Sequence, residues 1–128
     1  MKLLDTVVLV EALNADDKHH RKASTHLHSL IENPTVMVPS TTLIEFDLLM
    51  KARDYSQEER RQTWLELSPR LPKAKIAIPT PTSMGEACLL EREGMGYFDA
   101  LITALAVELR AEVITDDKAI SSRVTSSW

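Results

Sequence analysis

Five carboxylates of this chain, Asp5, Glu45, Asp99, Asp116 and Asp117, stand where an acid is either a helix cap or part of a site. Asp99 heads "GYFDALITALAVEL", a stretch otherwise apolar on nearly every side, and Asp is almost never fully buried unless something pairs with it. Taken singly, each acid has a structural reading. Asp5, Asp99 and Asp117 are plausible N-caps, and Thr42 with Glu45 spells a T-x-x-E capping box. The set asks for more. Glu45 and Asp99 lie in the two most apolar helical segments, where a carboxylate facing a sheet is costly to desolvate. Two unit charges roughly 4 Å apart repel by about 4 kcal/mol at an effective dielectric of about 20, so several acids packed together protonate or recruit a cation. An all-oxygen donor set without Cys or His selects a hard ion, Mg²⁺ or Mn²⁺. Such ions serve phosphoryl chemistry: they activate a water, orient a phosphate and offset charge on the leaving oxygen.

These acids meet only if the fold carries them to one place. "KLLD" reads as a short buried strand ending at Asp5, and "TVVLVEAL" follows at helical spacing. A polar helix spans 19–33 with Ala23, Leu27, Leu30 and Ile31 inward. "TVMVP" is a second strand and "STTLIEFDLLMKA" a helix with Leu43, Phe46, Leu49 and Met50 at three- and four-residue steps. "SQEERRQTWLEL" opens on the capping box of Ser56 and Glu59. "KIAIP" is a third strand, "TSMGEACLLERE" a helix closed by Gly94, and "FDALITALAVELR" another. "EVITDD" is a fourth strand, "KAISSRV" a short helix, and "VTSSW" offers an uncertain fifth strand. Strands alternating with helices predict an α/β fold with a mainly parallel sheet of four to five strands in one domain, residues 1–128. Its helices run antiparallel to the strands, so strand ends and helix starts share an edge, where such folds place their ligands. All five acids fall on that edge.

Composition narrows the class. With 44% hydrophobic and 27% charged residues the chain has the balance of a globular protein. No apolar run approaches the roughly 20 residues of a membrane span, and "MKLLDTVVLVEAL" lacks a signal-peptide pattern. One cysteine suits a reducing compartment, so a cytoplasmic location is expected. Fifteen Lys and Arg against nineteen Asp and Glu give a net charge of −4. Binding nucleic acid by phosphate neutralisation alone would want a basic chain, so a nucleic-acid role here needs local positive patches, a bridging metal ion or a second subunit.

The quoted pieces "LLDT", "PSTTLIEF", "GMGYFDALITALA" and "VITDDKAI", in this order and spacing, resemble the PIN-domain ribonucleases, and within them toxins of the VapC type. The resemblance covers nearly the whole chain, and "FDALITALA" is its most specific part. It implies a PIN-like parallel sheet with helices on both faces, a homodimer, and a Mg²⁺- or Mn²⁺-dependent endoribonuclease hydrolysing RNA phosphodiesters. It implies Asp5, Glu45, Asp99 and Asp117 as catalytic acids, with Asp5, Asp99 and Asp117 holding metal and Glu45 completing the shell or positioning water. Thr6 and Thr115 match positions whose hydroxyls orient ligands, and Asp116 fills the variable position beside Asp117. A cognate antitoxin, if present, would wrap the acidic edge and place a cationic side chain among the carboxylates. In place of the aromatic that many toxin members carry after the fourth acid stand Ala119 and Ile120.

Other residues carry weaker expectations. Lys118 beside Asp117, and Arg60 and Arg61 in a patch with Lys51 and Arg53, are candidates for RNA contact, although interleaved acids favour a solvated helix face. The four histidines do not share a helix face, which argues against a zinc site built from them. Cys88, between Ala87 and Leu89, is expected to be a core thiol, and Trp64 and Leu67 core or dimer contacts. The rival classes are a non-catalytic PIN-like scaffold and a PIN nuclease with a housekeeping role in RNA processing. A receiver domain would want paired acids after the first strand and a haloacid-type phosphatase a second acid at Val7; no phosphate-binding glycine motif occurs.

Overall fold

The computed structural model describes residues 1–128. Five parallel strands, β1 (Lys2–Leu4), β2 (Val36–Pro39), β3 (Ile76–Ala77), β4 (Glu112–Ile114) and β5 (Ser126–Ser127), form one sheet in the order β3-β2-β1-β4-β5. Seven helices connect them: α1 (Thr6–Ala12), α2 (His20–Glu32), α3 (Ser40–Ala52), α4 (Gln57–Leu67), α5 (Pro81–Arg92), α6 (Tyr97–Leu109) and α7 (Lys118–Ser121). The α/β class and the parallel sheet expected from the alternation are therefore present, and the fifth strand exists. Val113 and Ile114 pair in parallel with Ser126 and Ser127. No helix is long and apolar enough to cross a membrane.

Successive strand residues point to opposite faces of the sheet, and the core divides accordingly. Leu4 and Ile114 pack with Val8 and Leu9 of α1, Leu27 and Leu30 of α2, and Phe46 and Met50 of α3. Leu3 and Val113, their immediate neighbours, pack instead with Ile102, Leu105 and Ala106 of α6 and with Ile120 of α7. Near-continuous apolar strands covered on both sides are what a parallel sheet requires. Leu27 is 1% exposed, so Leu27→Ala is expected to lower unfolding free energy by about 3 kcal/mol, read from the urea midpoint.

Several local expectations need correction. Ile31, one residue beyond the buried Leu30, is 59% exposed; the inner stripe of α2 is only Ala23, Leu27 and Leu30, because a step of one residue turns about 100° around the helix axis. Cys88 is exposed for the same reason, since its neighbour Ala87 takes the buried position. Thr42 makes no capping box with Glu45. Helix α3 starts earlier, with Pro39 at its N-cap, and the buried Thr42 hydroxyl donates to the Leu4 carbonyl at 3.2 Å, tying α3 to the end of β1. The capping box of Ser56 and Glu59 is formed. Leu67 is buried, and Trp64 lies edge-on to Phe46, their ring centres 5.6 Å apart.

Candidate active site

The chain leaves β1 toward β2 on one side, while β4 and β5 extend the sheet on the other. The crevice at the carboxyl ends of β1 and β4 is thus the point where the strand order reverses, the usual ligand position in an open α/β sheet. Asp5 follows β1 there, and Thr115, Asp116 and Asp117 follow β4.

Asp5 is 7% exposed. It is the N-cap of α1: its Oδ1 accepts from the Thr6 amide at 2.7 Å. Its Oδ2 accepts from the Thr115 hydroxyl at 2.7 Å, and the same hydroxyl oxygen accepts from the Asp117 amide at 3.0 Å. Thr115 therefore bridges the first and last acids across the β1–β4 crevice. Thr6 makes the second bridge, its own hydroxyl donating to Glu45 Oε1. Asp117 caps α7, accepting at Oδ1 from Ala119 (2.8 Å) and Ile120 (3.3 Å). The cap readings of Asp5 and Asp117 are real, and each still leaves lone pairs free, because an ionised carboxylate accepts at about four positions.

Asp99 differs. The N-cap of α6 is Gly96, without a side-chain cap bond, and Asp99 sits third in the helix. It is half-buried in the first turn, where the helix dipole favours a carboxylate. No hydrogen bond of the structure uses it as a cap. A side chain on Gly96 would meet Asp99 Oδ2 at 3.8 Å, ordinary contact, so the turn itself does not demand glycine.

The electrostatics record the gathering of the four acids. Burial pushes Asp5 up to about 6 against the hydrogen bonds from Thr115 and Thr6, and repulsion from Glu45 and Asp117 adds to it. Asp99 is also pushed up to about 6, by burial first and then by Asp117 and Asp5. Glu45 is raised by burial despite the Thr6 bond, with Asp99 and Asp117 contributing. No Lys or Arg forms an ion pair with any of the four. The four acids feel one another's charge, although no three of them bring ligand oxygens within 4.8 Å of one another; an all-carboxylate set with no internal cation has the donor chemistry of a hard divalent ion.

The remaining candidates scatter. Asp116 is exposed and belongs to another group, within 4.8 Å of Glu11 and His19 at the donor atoms. Glu11 was invisible to motif reading; its one signal is a charge inside the apolar run "VVLVEAL". Lys118 is exposed at the start of α7. Arg60 is engaged away from the crevice, forking onto Asp47 at 3.1 and 2.9 Å, with Trp64 donating to the same carboxylate at 2.9 Å. Arg61 lies 3.6 Å from Glu58 on an exposed face. A separate groove of about 330 Å³, lined by Val10, Phe46, Met50 and Tyr55 among others, contains none of the four acids.

A family model described as PIN domain matches residues 2–124. Among solved structures, VapBC2 from Rickettsia felis, bound to a DNA fragment from its promoter, aligns at 20% identity with a TM-score of 0.73, covering 99% of this chain and 98% of that one. FitAcB from Neisseria gonorrhoeae aligns at 22% identity and 0.72, covering 98% and 96%. VapC20 of Mycobacterium tuberculosis, a sarcin–ricin loop cleaving toxin, aligns at 19% and 0.73, covering 95% and 94%. At these identities the likeness is one of fold. No curated protein matches the chain.

Proposed function

Because the chain belongs to the PIN-domain family, we propose that it is a Mg²⁺- or Mn²⁺-dependent endoribonuclease that hydrolyses RNA phosphodiester bonds, the toxin of a toxin–antitoxin pair. The observation that supports this most is the placing of Asp5, Glu45 and Asp117 around the β1–β4 switch point by the Thr115 and Thr6 hydroxyls, with Asp99 coupled to them by charge and none of the four paired with a cation. Asp5, Asp99 and Asp117 would hold the ion, directly or through water. When bound, it supplies Lewis-acid polarisation of a phosphoryl oxygen and neutralises charge in an in-line displacement. Glu45, held by the Thr6 hydroxyl, completes the donor set or orients the attacking water. Thr115 fixes the Asp5 carboxylate and the Asp117 backbone with one oxygen. No side-chain nucleophile is required.

The chain acts as a homodimer in the cytoplasm, and a protein antitoxin silences it by placing a cationic side chain among the carboxylates. Lys118, exposed beside Asp117, is the cation best placed for an RNA phosphate. The deciding experiment is cleavage of a structured RNA by purified protein with Mn²⁺ or Mg²⁺, against EDTA. Cleavage that needs the ion supports the reading; a folded protein that neither cuts RNA nor binds either ion overturns it.

Thr115→Val tests the bridge. It removes a hydrogen bond that holds the Asp5 carboxyl down, so Asp5 needs a higher pH to ionise. Cleavage is expected to fall about 10- to 100-fold, as for other groups that orient metal ligands, and the acid limb of the pH–rate profile to move to higher pH. An unshifted limb would assign Thr115 to folding alone.

A further inference from the structure

We propose that Glu11, His19 and Asp116 form a second cation site, separate from the four-acid crevice, that takes a divalent ion of the zinc class. Three chain segments that are remote in sequence meet here. Glu11 is in the last turn of α1, His19 is the N-cap of α2, and Asp116 is in the connection from β4 to α7. One donor atom from each lies within 4.8 Å of the other two.

A second observation points to a ligand. Glu11 is only 8% exposed, and its Oε2 is buried with no hydrogen-bond partner. A carboxylate oxygen left unsatisfied inside a protein is costly, and native structures leave few of them. The obvious neutralising partner does not reach it, since His19 forms no ion pair within 4.0 Å of either acid. The three groups face one another across a gap without bonding. Burial, then Asp17 and Asp116, raise the pKa of Glu11 against the opposing pull of His19 and Lys18.

The donor set names the class of ion. Two carboxylates and an imidazole suit a borderline first-row cation such as Zn²⁺, whereas the oxygen-only crevice suits Mg²⁺ or Mn²⁺. Tetrahedral zinc places N and O ligands about 2.0–2.2 Å from the ion and so about 3.4 Å apart. The gap must then close by at most about 1.4 Å, a movement available to the exposed Asp116 and the part-exposed His19. Three protein ligands leave a fourth position for water. Because Asp116 directly precedes Asp117, an ion here would clamp the connection that carries the last acid of the crevice to the ends of α1 and α2. This inference does not depend on the ribonuclease reading.

The test uses Zn²⁺ itself, titrated by calorimetry into metal-free full-length protein carrying Asp5→Asn and Asp99→Asn, so that the crevice is weakened. One Zn²⁺ per chain is expected, with affinity lowered at least about 10-fold by His19→Ala and left unchanged by excess Mg²⁺. His20→Ala is the control, because the Nδ1 of His20 is 3.0 Å from the Glu11 carbonyl oxygen, engaged with the backbone. Trp128 gives an independent readout. Its ring lies edge-on to His19 with centres 6.0 Å apart, so its fluorescence should change on binding in a Trp64→Phe background. Absence of Zn²⁺ binding in a folded protein, binding indifferent to His19→Ala, or loss with His20→Ala alone would overturn the assignment.

Discussion

Asp99→Asn is expected to lower metal-dependent RNA cleavage by at least about 100-fold while leaving the fold intact, since even residues that only orient a metal ligand cost 10- to 100-fold. The substitution keeps shape and hydrogen-bonding capacity and removes one charge. Asp99 makes no cap bond, so a purely structural role predicts almost no change in stability or activity. The ligand role predicts a large loss of cleavage together with weaker Mn²⁺ binding by calorimetry. In the metal-free state the variant should be as stable as the parent or more so, because burial and the charges of Asp117 and Asp5 oppose ionisation of Asp99. Parental cleavage rates from Asp99→Asn would remove this residue from the site.

The second large effect is on stability and has an unusual sign. Most acids that titrate on folding favour the native state as pH rises; Asp5 does the reverse. Its carboxyl is raised from 3.8 to about 6 in the folded protein, so between these values the native state holds more of its proton than the unfolded chain does. Stability from this group is therefore highest below the unfolded pKa and declines as pH climbs toward 6. The rise corresponds to a penalty of about 3 kcal/mol above the folded pKa. Metal-free protein should lose stability between pH 4 and 6.5 as Asp5 ionises, and Asp5→Asn should flatten the slope. At pH 7.5 the variant should gain about 1–3 kcal/mol by urea denaturation, less whatever is lost where an amide replaces the carboxylate as partner of Thr6 and Thr115. It should also lose RNA cleavage, a trade of function for stability common at sites that gather like charges. A divalent ion should stabilise the parent at pH 7.5 by mass action and stabilise Asp5→Asn far less. An Asp5→Asn protein less stable than the parent at pH 7.5 would show that the hydrogen bonds of Asp5 outweigh its burial.

Much of this was legible in the sequence. Alternating strand and helix patterns are local and periodic, so the α/β class, the parallel sheet and the helices around Phe46, Ile102 and Leu105 follow from hydrophobic spacing alone. The edge that collects the acids follows as well, because in a parallel sheet every strand end meets a helix start on one side. Asp5 and Asp117 were readable both as caps and as site residues, and the structure shows both as caps.

Tertiary structure decided what local spacing does not carry. Strand order β3-β2-β1-β4-β5 set β1 between β2 and β4, which let Thr115 after β4 reach Asp5, and Thr6 after β1 reach Glu45 on the helix that follows β2. It turned Thr42 from a cap into a tie onto Leu4. The exposures of Ile31 and Cys88 depended on which residue of each helix met the sheet, a rotation that one neighbour's apolarity does not determine. Most of all, it brought Glu11, His19 and Asp116 together, three residues without a shared motif. A periodic pattern reports which side of its own element a residue occupies; distances between elements are set only when the whole chain finds its packing.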